Sequence, residues 1–450
     1  MKDEILAIVN AGSEVLTNDI SKLKTLLSDM NTVDIAEIFE ELDKENIIRL
    51  FRILPKDIAS EVFAYMDSDQ QQFIVEALTD TEIGEIMSKL FVDDAVDFIE
   101  EMPANVVGRV LQNVYSEKRK LINQILQYPD DSAGSIMTTE YVSLRENTTV
   151  HEAFDTIRKT GLNKETIYTC YVISWDRVLL GVVTAKNLML AGPNERIGDI
   201  MIASPVFAYT TDDQEAIANL FQRYGFLAMP VVDKEQRLVG IITVDDIMDI
   251  IIEESTEDIE KMGALAPSDE PYLKTSIVRL ARNRIIWLMV LMLSATITGN
   301  IILSFEESMT ILPILMAFIP MLMDTAGNTG AQASTLIIRG MAVGEIKLRD
   351  VFHVLWREIR VGTLCGIALG TVNLIRVYIM NGRDLKLSIT VTLSLFCTIL
   401  VAKSVGCLLP MFAKRINIDP AIMAAPMITT IVDAISLIIY FSMAKMMFGI

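Results

Sequence analysis

Ile285–Phe305 is a run of 21 residues without a single charge. At about 1.5 Å of rise per residue, a helix of that length crosses a hydrocarbon core of about 30 Å. Four further apolar segments follow. Met309–Ile338 carries one charge, Asp324, and Arg360–Met380 has Arg376 near its end. Leu387–Ala413 holds only Lys403, and Pro420–Ala444 holds only Asp433. One such segment is compatible with a buried helix of a soluble core. Five between residues 285 and 444 argue for a membrane domain of five spans, at about 285–305, 309–338, 360–380, 387–413 and 420–444.

The charge distribution divides the chain at the same place. Residues 1–270 hold 50 acids and 23 bases, whereas residues 271–450 hold 9 acids and 16 bases. A net charge of −20 over 450 residues argues against nucleic acid as a partner, which needs a basic face. Cys170, Cys365, Cys397 and Cys407 share no close pair, which excludes a disulfide framework and a zinc ribbon. His151 and His353 are too few for histidine-rich metal catalysis. The opening MKDEILAIVN has acids where a secretory signal has bases. No G-x-x-x-x-G-K-[ST] occurs, so nucleotide hydrolysis is not expected to drive any transport.

Loop charges orient the membrane domain. Arg279, Arg282 and Arg284 precede the first span, and Arg339, Lys347, Arg349, Arg357 and Arg360 fill the second loop. Lys414 and Arg415 lie in the fourth, whereas the first loop carries Glu306 and Glu307 and no base. Arg383 and Lys386 in the third loop partly oppose the trend. The expectation is a multi-pass protein of the plasma (inner) membrane, with a cytoplasmic N-terminus and the C-terminus outside.

The soluble part contains two repeats. DIAEIFEEL, DIASEVFAYM, EIGEIMSKL and NVVGRVLQNV place Ile35, Ile58, Ile83 and Val106 at steps of 23 to 25 residues. Apolar positions within each recur at helical spacing, so residues 1–130 read as an acidic all-α stack. The second repeat is α/β. Ser135-Ile136-Met137 aligns with Asp199-Ile200-Met201, and Gly181–Met189 aligns with Gly240–Met248. The Ile-Met opener, the apolar strand and G-h-h-T-x-x-D, with h apolar, resemble a tandem pair of CBS domains. The pair occupies about 136–192 and 196–252 within a region 131–252. In CBS domains that Asp often contacts a ribose. Thr243 and Asp246 keep the pattern, whereas the first copy has Asn187 in place of Asp. Adenine-nucleotide (ATP) binding and a purely structural, dimerising pair both remain open.

Residues 253–270 read as an acidic connecting helix, periodic to about Leu265 and stopped by Pro267. An isolated acidic run is ordinarily a solvated face. This one abuts a membrane domain beneath an acidic soluble part, where a divalent cation relieves repulsion and gains oxygen ligands. The whole arrangement resembles the MgtE family of magnesium channels. The marks are Pro320-Met-Leu-Met-Asp-Thr-Ala-Gly-Asn-Thr-Gly-Ala-Gln-Ala-Ser334, Asp419-Pro420, Pro426 and Asp433.

An acid at mid-span is costly, by about 3 kcal/mol on insertion scales, so Asp433 is expected to face protein or water. One carboxylate is a poor partner for a 2+ ion. Two related by a dimer axis offset the charge around a hydrated Mg2+. Pro426 is expected to free a carbonyl along the same path. Gly327, Gly330, Ala331 and Ala333 allow close helix approach but do not account for Asp324, Asn328 and Gln332, which are placed along the pore with Pro426. Lys403 either reaches the membrane boundary or pairs with an acid.

The resemblance implies a homodimer joined through its CBS and membrane domains, conducting Mg2+ passively past Asp433, Asp419 and Thr429. It implies no enzymatic activity. It also implies closure by cytoplasmic Mg2+ bound at Glu61, Asp93 and Asp97, at Asp213, Glu215 and Asp246, and at Asp249, Glu254, Glu257 and Asp258. The alternative is a CBS-regulated secondary transporter of another divalent cation or solute. An intramembrane enzyme with Asp324 and Asp433 as an acid pair is a further rival, and no third catalytic group supports it.

Overall fold

The computed structural model describes residues 17–268, 272–423 and 425–449, together with Lys2, Ile5, Leu6 and Val9. The rest of the segment before Thr17, the end of the expected connecting segment at 269–271, and Ala424 in the expected last span lie outside the described residues. The chain divides into two compact units, Met1–Ile251 and Ile252–Ile450.

Among the described residues from Thr17 on, the first unit begins with nine short helices, from α1 (Thr17–Ser28) and α2 (Thr32–Glu40) to α9 (Ser116–Ile125). Their starts are unusually regular. The residues capping α2 to α9 are Asn31, Asp43, Pro55, Asp67, Thr79, Phe91, Pro103 and Tyr115, one every 12 residues. The sequence repeat of 23 to 25 residues is two of these steps. Several starts carry their own signal: Asp43 accepts from the Asn46 amide, and Thr79 forms a capping box with Glu82. Alternate helices stack, α4 (Lys56–Ala64) on α6 (Asp80–Lys89) and α6 on α8 (Ala104–Asn113), with α7 (Val92–Glu101) on α9 in the second row. Ile35, Ile83 and Val106 are buried between the rows, and Ile58 is half-buried beside them. Phe63 meets Phe98 edge-on, with ring centroids 5.1 Å apart.

The two α/β repeats exchange strands. The first sheet runs β1 (Ser143–Leu144), β2 (Thr169–Ile173), β3 (Leu179–Thr184), β4 (Ile202–Ala203). The second runs β5 (Ala208–Tyr209), β6 (Ala228–Val232), β7 (Leu238–Thr243). β4 follows the second Ile-Met opener, yet it pairs antiparallel with β3 of the first copy. Reciprocally, Thr138 after the first opener exchanges two backbone hydrogen bonds with Ile241 of β7, at 2.8 and 2.9 Å. This crossing explains the glycine of each G-h-h-T. A Cβ on Gly181 would stand 2.8 Å from Met201 Sδ, and one on Gly240 would stand 2.5 Å from Met137 Sδ.

Helix α14 (Val244–Met262) follows β7 without interruption and carries the acidic run. It ends before Leu265. Ala264 takes φ 55°, its amide bonds Lys261 O, and the Leu265 amide bonds Glu260 O, a left-handed cap that stops the helix before Pro267.

The second unit contains α15 (Ile277–Ser304), α16 (Glu306–Ile311), α17 (Ile319–Ala342), α18 (Val351–Met380), α19 (Leu385–Arg415) and α20 (Ala425–Phe448). Among the described residues, four helical segments are long and apolar enough to cross a membrane: α15, α18 with its preceding turn, α19 and α20. At 24 residues α17 is also long enough, about 36 Å, but its Asp, Asn, Gln, Thr and Gly lower its apolarity. The protein is a multi-pass membrane protein with the expected architecture: a helical stack, a CBS pair and a helical membrane domain.

The apolar runs misplace three helix starts, the first being that of α15, which begins at Ile277 and carries Arg279, Arg282 and Arg284 on its exposed surface. The run from Met309 is broken at Pro313, which has no N–H to continue a helix, so α17 begins at Ile319 after a 3-10 turn, Pro313–Phe318. Helix α18 begins well before Arg360. Arg357 and Arg360 lie on its exposed face, and Glu358 is buried on the opposite one.

Candidate functional site

Within the membrane unit, α17 packs against both α19 and α20. Small residues make this possible. A Cβ on Gly327 would stand 2.9 Å from Thr429 Cγ2 and 3.8 Å from Asp433 Oδ1, and one on Gly330 would stand 2.7 Å from Ile428 Cγ2. Asp433 is therefore held on α20 against the glycine face of α17. Its Oδ1 is buried with no hydrogen-bond partner among the described residues, an arrangement rare in folded proteins and a reason to look for a ligand. Asp324, Asn328 and Gln332 recur at every fourth position of α17, spaced so that they share one face. Asn328 Nδ2 donates to Asp324 Oδ1 at 3.1 Å, and the charge of Asp324 acts on Asp433.

Pro426 does not play the expected part. It stands in the first turn of α20, where a missing N–H leaves no carbonyl free. Its own carbonyl accepts the hydroxyls of Thr429 at 2.9 Å and Thr430 at 3.0 Å. Lys403 is resolved in favour of pairing. Its ammonium lies 3.4 Å from Glu358 Oε2, with both side chains at least nine-tenths buried between α18 and α19.

Asp419 precedes the 3-10 turn Pro420–Met423, and both its oxygens are engaged. Oδ1 accepts the Ala421 amide at 2.8 Å, and Oδ2 meets Lys261 Nζ at 2.7 Å. Lys261 also meets Glu257 at 2.7 Å. Burial works against the charge on Lys261, but the two carboxylates outweigh it and hold the ammonium above its usual pKa. Asp258 is pushed up, first by burial and then by Asp419. Met262 packs with Ile338 and Ala421, so the end of α14 is fastened to the segment that leads into α20.

A second group of acids lies in the first unit. Helix α7 contributes Asp93, Asp94 and Asp97, the first CBS copy Glu140 and Glu165, and the start of α14 Asp245 and Asp246. For the five of these whose pKa is raised, burial is the first cause, and neighbouring carboxylates add to it. Asp93 is driven well above the carboxylate range, Asp94 and Asp246 to about 6, Asp97 to about 7 and Glu165 to about 8. Asp97 keeps an exposed edge despite the protein around its carboxyl. Asp93 Oδ1 and Glu165 Oε2 are buried with no hydrogen-bond partner among the described residues. Lys118 stands among them with its ammonium on Leu90 O. Burial lowers its pKa against the pull of Glu140, Asp93 and Asp94.

Other expected residues are placed differently. Glu61 is exposed and acts on Tyr65 together with Asp245, Asp94 and Glu165, so it borders the same group. Asp213 caps α13 (Gln214–Tyr224) by accepting the Glu215 and Ala216 amides, and Glu215 follows it at the surface. Asp249 is exposed and Glu254 half-buried along α14. Thr243 Oγ1 donates to Asp246 Oδ2 at 2.5 Å, and in the first copy the Asn187 amide bonds Thr184 Oγ1. Asp94, Glu140, Glu165, Lys261 and Glu358 were not singled out from the sequence. Glu140 and Glu165 are isolated acids with no motif, and only the fold brings them to α7. Among the described residues, no three His, Cys, Asp or Glu side chains converge closely enough to hold a bare metal ion.

A helical stack joined to a CBS pair, followed by a multi-span domain with an unsatisfied intramembrane carboxylate oxygen, defines a class of regulated membrane transport proteins. A family model described as a divalent cation transporter matches residues 319–443. One described as the MgtE intracellular N domain matches 30–131, and CBS domain models match 133–194 and 197–253. The chain belongs to the MgtE family. It is 35% identical over 433 residues to the magnesium transporter MgtE of Thermus thermophilus, covering 95% of this chain and 96% of that one. It is 32% identical over 429 residues to the magnesium transporter MgtE of Bacillus subtilis, covering 94% of each. Among solved structures it resembles the cytosolic domain of the Mg2+ channel MgtE in complex with ATP. That match has 31% identity and a TM-score of 0.52, over 56% of this chain and all of that one.

Proposed function

We propose that this chain is a homodimeric, magnesium-selective channel that admits Mg2+ down its gradient through the plasma membrane and is closed by cytoplasmic Mg2+. Transport without catalytic turnover is the activity proposed. The observation that carries the conduction reading is Asp433, a carboxylate held on α20 against the glycine face of α17, with an oxygen that no other described residue satisfies. Two such carboxylates about a two-fold axis match the charge of one hydrated Mg2+, and Thr429 and the Asp324–Asn328–Gln332 stripe supply polar neighbours. Asp419 serves the mouth through its contact with Lys261. On this reading the N-terminus is cytoplasmic and the C-terminus outside, which the basic loops support.

Closure is assigned to the acids of the first unit and of α14. At low Mg2+, Asp93, Asp94, Asp97, Glu140, Glu165, Asp245 and Asp246 repel one another. Mg2+ bound through its water shell relieves that repulsion, with Glu61, Asp213, Glu215, Asp249, Glu254, Glu257 and Asp258 extending the acidic face. Several weak sites acting on one two-state element give a steep response. The second CBS copy, with Thr243 and Asp246, is the proposed place for ATP, by likeness to the relative whose cytosolic domain is in complex with it. Equilibrium dialysis against ATP, with Asp246→Ala as the control, tests that site.

The main test is Mg2+ flux into proteoliposomes with Mg2+ varied on the cytoplasmic side. The expected result is passive uptake that falls as cytoplasmic Mg2+ rises. Uptake against the gradient, coupled to protons or sodium, would replace the channel with a secondary transporter.

A further inference from the structure

At the end of the membrane unit that carries its basic loops, a cavity of about 880 Å3 opens between α18, α19 and α20. Its wall is apolar, with Phe352 from the first turn of α18, Val405, Leu408 and Phe412 from α19, and Ile431 from α20. Two guanidiniums lie at one end. Arg349 belongs to the 3-10 turn before α18, and Arg415 is the last residue of α19. Among the described residues no acid lines the cavity. Arg349 comes within 3.9 Å of Asp350 but remains largely exposed. From Arg415 to Val405 the helix descends about 15 Å, half the thickness of a hydrocarbon core. The groove thus runs from the membrane boundary towards the midplane, basic at the top and apolar below.

We propose that this groove binds an anionic phospholipid, with an acyl chain along Val405, Leu408 and Ile431 and the headgroup phosphate on Arg349 and Arg415. Any groove in a bilayer fills with acyl chains, so selection rests on the basic end. The guanidinium fork matches two phosphate oxygens, and basic pockets between spans at the membrane surface favour anionic headgroups. Further along α18, Trp356, Arg357 and Arg360 line a smaller hollow of about 330 Å3. A second copy of this chain fits the groove poorly. A two-fold contact sets a patch against itself, which would gather four guanidiniums against only the two Asp350 carboxylates beside them. On the orientation proposed above, the bound lipid belongs to the cytoplasmic leaflet. Its tail touches the helix that carries Asp433, two residues beyond Ile431.

The test uses the full chain, purified in mild detergent and stripped of lipid. Phosphatidylglycerol, phosphatidylcholine and inorganic phosphate are the probes, read by native mass spectrometry and thermal unfolding. Phosphatidylglycerol is expected to be retained and to raise the unfolding temperature. Phosphatidylcholine is expected to be lost, and inorganic phosphate not to compete. Arg349→Gln with Arg415→Gln is expected to weaken retention roughly tenfold or more, from the attraction of each basic residue to an anionic surface. Leu408→Trp fills the groove with both arginines intact and is expected to abolish retention. Arg349→Lys with Arg415→Lys keeps the charge and is expected to keep part of the binding, so a misfolded Gln pair does not leave the question open. Equal retention of the two lipids, or retention unchanged by the Gln pair, would overturn the proposal. So would Leu408→Trp converting dimer to monomer with no loss of lipid, which would make the groove a contact between copies.

Discussion

In the membrane unit Glu358 meets Lys403 and Asp419 meets Lys261, whereas in the first unit Asp93, Asp94 and Glu140 share Lys118, and Asp93, Asp94, Asp97, Asp246 and Glu165 act on one another. The first kind of acid has its charge cancelled by the fold. The second is a standing deficit of positive charge, which protons or cations fill from solution. Neither Glu358 Oε2 nor Asp433 Oδ1 has a hydrogen-bond partner among the described residues, but Glu358 faces the Lys403 ammonium and Asp433 has no such ion pair among them, so Asp433 belongs to the second kind. The acids thus divide into those the fold pairs with a lysine and those it leaves to one another, and the proposed function assigns ions to the second kind.

The largest effect that could break this division is on flux. Asp433→Ala is expected to reduce Mg2+ uptake by roughly a hundredfold or more, because the charge offsetting a 2+ ion in a low-dielectric path is removed. Paired acids should behave otherwise. Lys403→Met strands a buried Glu358 and is expected to cost about 3 kcal/mol of stability. The double change with Glu358→Met should cost much less, as a double-mutant cycle in thermal unfolding would show. Similar losses for the double and for either single change would mean the pair does not interact.

Next in size is the magnesium dependence of the soluble acids. Asp93→Asn, Asp97→Asn and Asp246→Asn together should leave conduction intact. Mg2+ is expected to protect the first unit from protease, and the triple change to remove that protection. Protection that still rises with Mg2+ as in the wild type would reduce this group to a structural one.

A pH effect follows, with a definite sign. In the folded chain Asp94, Asp246, Asp97 and Glu165 hold their protons up to about 6, 6, 7 and 8, whereas unfolded carboxyls release theirs near about 4. Folding therefore binds protons between those limits. Without Mg2+, stability of the first unit should be greatest at low pH and fall as pH rises from about 4 to about 8. Thermal unfolding in chelator at pH 5 and pH 8 checks this, and Mg2+ should stabilise more at pH 8, where it meets ionised carboxylates. The smallest effect is expected for Lys261→Met. This partly exposed contact is worth about 1 kcal/mol or less, so the Mg2+ concentration that closes the channel should move less than about tenfold.

The sequence by itself determined what accumulates along the chain. Uncharged length marked the membrane domain, the duplicated Ile-Met and G-h-h-T segments marked the CBS pair, and the surplus of acids marked a strongly negative first part. Each is a local count or period that survives without knowledge of neighbours in space. Even there, runs of apolarity misplaced the starts of α15, α17 and α18, because one proline breaks a helix that hydrophobicity would continue and charges on an exposed face do not end one. Tertiary structure alone decided the partnerships. Glu358 and Lys403 are 45 positions apart and Lys261 and Asp419 are 158 apart, while Glu165 reaches α7 only through the folding of the first CBS copy. The openers also pair across the two copies rather than within their own. Coulomb and hydrogen-bond energies depend on separations of a few ångströms, which helix register and packing set. The same carboxylate therefore reads identically in the sequence whether the fold gives it a lysine or leaves it waiting for an ion.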